Sequence, residues 1–280
     1  MIVEDFVKKA LLEDLGRGDL FERIYSDKEV LANVVAKENG IFSGEKYAKA
    51  LMKLLNLDSN FMFCDGDEIN SGDVLLNIKG SLLNILKSER TLLNILQHSS
   101  GIATNVRNYV EILKNASLKT KLLDTRKTRP FLRVFEKYSV VNGGGLNHRL
   151  GIDDCLMLKD THLSQISNLE SFILEARKKI PFTTKIEIEC NNFALAKKAL
   201  DLNIDIIMCD NMKCKDIENV VNYRNGIESS ALIEASGNIN KSNILDFANT
   251  GVDAISSGAL IHHSVWLDLS LKVLKKDSNA

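Results

Sequence analysis

The apolar positions change rhythm partway along the chain. Up to about Thr104 helical spacing alternates with short strand-like runs. Phe6, Ala10, Leu11 and Leu12 open an amphipathic helix, residues 30–36 read as a strand, 48–55 as a helix and 74–79 as a strand. Residues 88–99 come next as one long buried helix. Beyond that point short apolar runs are separated by helix-length segments, at residues 121–124, 155–158, 185–190, 205–209, 231–235 and 252–256. Successive runs start about 20 to 34 residues apart, the length of a strand plus its crossover helix, which predicts parallel βα units. Six such units without a GxGxxG opening favour an α/β fold of the TIM-like barrel type, complete or incomplete, over a doubly wound sheet.

Each predicted strand runs into polar residues. Asp124-Thr125-Arg126-Lys127, Lys159-Asp160, Glu189, Asp210-Asn211, Ser236-Gly237-Asn238 and Ser257-Gly258 stand at successive strand ends, and in a barrel those ends converge on one mouth. Arg126, Lys127, Lys159, Glu189 and Asp210 are therefore expected in a single site. The turns with Ser236, Gly237 and Asn238 and with Ser257 and Gly258 either simply end their strands or, as a pair after the last strands, cradle a phosphate. Glu189 and Asp210 could hold a hydrated Mg²⁺, hydrogen-bond sugar hydroxyls or pair with nearby cations. Gly143, Gly144 and Gly145 precede Asn147-His148-Arg149, a loop suited to close backbone approach. Of the five histidines, His148 is the first candidate for direct involvement, ahead of His162.

Charge sharpens this picture. The 280 residues carry a net charge of −1, so no global field draws the protein to nucleic acid or an anionic membrane. Yet Lys121, Arg126, Lys127, Arg129, Arg133, Lys137 and Arg149 face only Asp124 and Glu136 in their stretch, a local anion site. A solvated helix face accounts for Arg133 and Lys137 equally well. The five cysteines, Cys64, Cys155, Cys190, Cys209 and Cys214, form no CxxC pair and read as reduced, mostly buried thiols of a cytoplasmic protein. No apolar run reaches membrane-spanning length, and the acidic start at Glu4 and Asp5 is unlike a signal peptide. Several cations, two acids and a phosphate cradle predict group transfer involving a phosphorylated sugar and a polyanionic partner.

Ordered segments then carry a resemblance. Asp124-Thr125-Arg126-Lys127-Thr128, Glu136-Lys137-Tyr138, the run from Gly143 to Gly151 and Leu158-Lys159-Asp160 resemble the quinolinate phosphoribosyltransferase family. So do Glu13 to Asp19, Ser88 to Asn94, Ser100 to Thr104, Glu234 to Asn238 and Ser257 to Leu260. The resemblance implies transfer of phosphoribosyl from phosphoribosyl pyrophosphate to quinolinate with loss of CO₂, giving nicotinate mononucleotide for NAD synthesis. It implies Mg²⁺ dependence, an N-terminal α/β sandwich (1–106, joined by a C-terminal helix at about 266–280) and an incomplete barrel (107–265). It also implies a homodimer, with or without assembly into hexamers, in which Arg90 acts in the partner's site. Carried over by position, Arg90, Arg126, His148, Arg149 and Lys159 would hold the quinolinate carboxylates, with Thr125 beside them. Lys127 would contact the donor, Glu189 and Asp210 would lie near ribose and metal, and Ser236, Gly237, Asn238, Ser257 and Gly258 would cradle the 5′-phosphate. Arg129, Val141 and Ile261 depart from the family pattern at the rim. Two rivals remain, a nicotinate phosphoribosyltransferase and a non-catalytic phosphosugar-binding barrel.

Overall fold

The computed structural model describes residues 3–274, which divide into two compact units. The first comprises residues 3–107, 134–144 and 263–274. It begins with α1 (Val3–Leu15), β1 (Glu29–Ala36), β2 (Gly40–Ile41), α2 (Glu45–Leu54), β3 (Asp58–Phe61), β4 (Glu68–Ile69), β5 (Val74–Ser81) and the start of the long helix α3 (Leu82–Asn115). Strand β1 shows why its sequence becomes a sheet strand: Ala32, Val34 and Ala36 are fully buried at period two, while the residues between them are not. It pairs antiparallel with β5 on one side and with Leu269–Val273 on the other. The sheet's apolar face meets the helices, where Val7, Leu51, Met52, Leu92 and Leu96 close a core.

Three expectations are corrected here. The predicted C-terminal helix at 266–280 is a strand over Leu269–Val273, and 275–280 lie outside the described residues. Leu269, Leu271 and Val273 recur at period two, which suits a strand beside β1 and no helix. Residues 134–144, assigned from sequence to the barrel, group with the first unit through helix α4 (Arg133–Asn142). Its Phe135 stacks on Phe6 and meets Tyr47 edge-on. The solvated-face reading of this helix also fails for Lys137, which is buried, as is its neighbour Glu136. Glu136 lies 2.9 Å from His98 Nε2, so this histidine serves packing of the first unit.

The second unit, 108–133 and 145–262, is the incomplete barrel. Its strands are β6 (Lys121–Leu123), β7 (Leu156–Leu158), β8 (Ile186–Cys190), β9 (Ile206–Asp210), β10 (Leu232–Ser236) and β11 (Ala254–Ser256). They form one parallel sheet in the order β6-β11-β10-β9-β8-β7. Between them run α5 (Asp160–Leu163), α6 (Leu169–Lys179), α7 (Phe193–Asp201), α8 (Cys214–Gly226) and α9 (Ile244–Ala248), and α10 (Ala259–His262) comes after the last strand. Two of the crossover helices, α6 and α7, start where the sequence supplies caps: Asn168 and Asn192 each accept a backbone N–H of the first turn at 2.9 Å. Strands β6 and β7, consecutive in the chain, are the sheet's two edges. The stretch ending in Asn147 lies along β6, where Leu146 donates to Leu122 O at 2.8 Å and accepts from the Asp124 N–H at 3.1 Å.

Candidate active site

Strand alternation decides what enters the barrel. On β8, Ile186, Ile188 and Cys190 are fully buried on the outward side, so Glu187 and Glu189 point inward. By the same rule β9 sends in Met208 and Asp210, β10 sends in Glu234 and Ser236, and β11 sends in Ser256. At the C-terminal ends of the strands a cavity of about 280 Å³ brings together Thr125, Arg126, Lys127, His148, Arg149, Lys159, Glu189, Asp210 and Ser236, all expected from sequence. Met157 and Met208 give it apolar patches, and Ser256, which sequence reasoning missed, donates to Ser236 at 3.1 Å. Arg90 is exposed on α3 and belongs to the first unit, whereas the other expected site residues belong to the second.

The two small-residue turns are tightly built. Gly237 has φ +95°, and a Cβ there would lie 2.4 Å from Asn211 Oδ1 and 2.8 Å from Asn211 N. Asn211 in turn donates its N–H to Ser236 O at 3.0 Å and accepts from Asn238 Nδ2 at 2.9 Å. Gly258 lies under the stem of Lys127, whose Cδ a Cβ would meet at 2.9 Å. Ser257 is turned into the loop, its hydroxyl donating to Ile239 O at 2.8 Å and its N–H to Leu123 O at 3.1 Å. Of the expected cradle residues only Ser236 lines the cavity; Gly237, Asn238, Ser257 and Gly258 do not.

The charges are arranged in opposition. Burial and the nearby Arg149 and Arg133 guanidinium groups pull the Arg126 pKa down, a sign of cations crowded together. Lys159 donates to the Glu189 carboxylate, joining the cationic side of the cavity to the acidic side. Asp210 accepts from Asn211 Nδ2 at 2.7 Å. His162 takes a supporting place, its Nδ1 accepting the Lys159 N–H at 3.1 Å where α5 begins.

His148 reaches into the barrel interior. Its backbone N–H donates to the buried Asp124 carboxylate at 2.8 Å. Its Nε2 lies 3.2 Å from Glu234 Oε2 and 3.4 Å from Glu187 Oε1. Burial alone would pull the imidazole pKa down, but the two carboxylates push it up to about 10. The Arg149 N–H, 2.7 Å from Nδ1, opposes a proton there. Burial also pushes the Glu187 carboxyl upward. Glu187 and Glu234 were not anticipated as site-related groups. The signal lay in Ile186-Glu187-Ile188-Glu189, where acids recur at the strand period and so share a face.

Comparison with known proteins adds an independent line. The family models for the quinolinate phosphoribosyl transferase N-terminal and C-terminal domains match residues 19–100 and 102–272. The chain is 36% identical over 278 residues to a probable nicotinate-nucleotide pyrophosphorylase [carboxylating] of Synechocystis sp., covering 98% of this chain and 94% of that protein. It is 37% identical to the protein of the same name from Bacillus subtilis, covering 94% and 90% of the two chains. The solved structure of the nicotinate-nucleotide pyrophosphorylase from Francisella tularensis superposes with a TM-score of 0.91 at 33% identity, covering 97% of this chain and 96% of that one.

Proposed function

The chain belongs to the quinolinate phosphoribosyltransferase family, and from that premise we infer that it converts quinolinate and phosphoribosyl pyrophosphate to nicotinate mononucleotide, pyrophosphate and CO₂. The observation that carries the reading to this chain's own residues is the gathering of Arg126, His148, Arg149 and Lys159 in one cavity with Glu189 and Asp210. A planar dianion needs several fixed cations to leave water, and guanidinium groups match carboxylates in geometry. Arg126 and Arg149 are the pair for the two carboxylates. Lys159 and His148 complete the cationic wall, and Arg90, exposed on α3, is the further cation that a partner subunit would receive in a homodimer.

Held this way, the ring nitrogen of quinolinate faces the anomeric carbon of the donor. The nitrogen lone pair forms the new bond as the pyrophosphate oxygen leaves with the old bonding pair. Glu189, on the acidic side, favours the positive charge that develops on the sugar. The product ring carries a cationic nitrogen, so the bond from C2 to its carboxylate breaks with its electrons left on C2, and a proton then adds there. Lys127, lying over Gly258, would contact the donor's phosphates, and the Gly237 and Gly258 turns would give the 5′-phosphate a close approach. Glu189 and Asp210 suit Mg²⁺ in donor chemistry, as hard carboxylate oxygens on one cavity wall. When bound, the ion would neutralise charge on the pyrophosphate.

The test is a coupled assay on the purified protein with quinolinate, phosphoribosyl pyrophosphate and Mg²⁺, run in parallel with nicotinate. Equal amounts of CO₂ and mononucleotide from quinolinate alone are expected. Product from nicotinate alone would overturn the assignment in favour of a non-decarboxylating transferase, and product from neither would return the protein to the binding-barrel reading.

A further inference from the structure

His148 is an expected site residue that is held from inside the barrel. Two carboxylates with almost no exposure, Glu187 on β8 and Glu234 on β10, meet its Nε2 from inside the barrel. Both also line a second cavity of about 450 Å³ toward the opposite end of the strands, which shares His148 and Arg149 with the mouth cavity. The imidazole thus forms part of the partition between the two spaces. Its other nitrogen accepts the backbone N–H of Arg149, and the Arg149 guanidinium donates to Cys155 O at 3.0 Å. The chain from the glutamates through the ring to the Arg149 backbone is continuous.

A metal ion among these three side chains is the competing reading. Metal-bound imidazole donates its second ring N–H to an acceptor, which fixes the tautomer. Here Nδ1 faces a donor instead, and an ion at Nε2 would have to displace the proton that both carboxylates favour. The trio is better built as an anchor. The anchor also has something to secure, since the loop that carries it begins at Gly143-Gly144-Gly145, where the backbone has most freedom to lose.

We propose that Glu187 and Glu234 are positioning residues, which hold His148 inside the barrel and through it fix the backbone that presents Arg149 to the substrate dianion. The proposal rests on the functional reading above. It assigns no contact with substrate to either glutamate. They act on quinolinate and leave the phosphoribosyl donor, served by other strand ends, alone.

The test is a mutant cycle on the full-length enzyme with Glu187→Gln, Glu234→Gln and His148→Gln, reading KM for each substrate and kcat. Each Gln variant keeps the side chain's shape, and either glutamate alone suffices for the cycle should the other variant fail to fold. Quinolinate KM is expected to rise about tenfold or more in Glu187→Gln, with the donor KM within about twofold of wild type. In the His148→Gln background the same substitution is expected to add nothing. Multiplying effects on quinolinate KM, or equal rises in both KM values, would overturn the proposal. Wild-type turnover of quinolinate is read in the same series. Its absence would sink the functional reading, whereas wild-type activity with multiplying effects would sink only the anchor.

Discussion

Gly237→Ala tests the phosphate turn with a single methyl group. The residue sits at φ +95°, where an L side chain is strained, and such a conformation costs of order 1–3 kcal/mol. The added Cβ would also lie 2.4 Å from Asn211 Oδ1, 2.6 Å from Asn211 Cγ and 2.8 Å from Asn211 N. The side-chain atoms can swing away, but the backbone nitrogen is tied to Ser236 O, so the turn itself must move. Overpacking of this kind costs roughly 1–3 kcal/mol when the structure resists. The combined effect is therefore about 2–6 kcal/mol if it is taken up as lost stability. If the turn gives way instead, a displacement on the order of 1 Å in the groups that receive the donor lowers turnover by about 10²-fold. Urea unfolding and donor kinetics on the same preparation read both outlets. Replacing Asn211 with Gly in the variant removes two of the three close atoms and should recover part of the loss. Stability within about 0.5 kcal/mol of wild type, together with an unchanged donor KM, would show that the turn neither resists the methyl nor serves the donor.

Three further outcomes are expected. Arg90→Ala and Lys159→Ala, each inactive alone, should regain activity when mixed and re-dimerised, because one mixed site keeps both cations; confirmed heterodimers without activity would refute the contribution in trans. Folding stability should fall as pH rises from the ordinary histidine range toward 10, because the His148 pKa is raised in the folded state and deprotonation forfeits that stabilisation. Urea midpoints at pH 6.5 and 9.5 check this, and a His148→Gln variant with an undiminished slope would count against it. Ellman's reagent should find Cys64 at once and Cys214 slowly, while Cys155, Cys190 and Cys209 react only in denaturant, since burial pushes the Cys155 and Cys209 thiols up to about 12. Fast reaction of all five in native buffer would contradict their placement.

The barrel strands were legible because a parallel strand covered by helices is a run of apolar residues, and each of the six lies within two residues of where those runs predict it. Strand β3, Asp58-Ser59-Asn60-Phe61, was not, since it is mostly exposed and polar and takes its conformation from pairing with β5. Leu269–Val273 carried a strand period in its own residues, but a five-residue segment is identified only by the partner strand beside it. Site residues at strand ends could be read from sequence because polarity begins where the apolar run stops. Glu187 and Glu234 sit in mid-strand, and whether a mid-strand residue faces helices or barrel interior is set by neighbouring strands. Lys137 misled for the related reason that helical spacing alone does not say which face is covered.

The two sheet edges, β6 and β7, bear on solubility. Unpaired strand edges are templates on which a second chain can add, and natural sheets blunt them by shortening or covering them. Both edges here are three residues long, against five for β8, β9 and β10, and β6 is further capped by Leu146. That cover is the same segment that delivers His148 and Arg149. Loosening it to alter the pocket would therefore also bare a sticky edge, so substitutions in this loop should be judged by aggregation as well as by turnover.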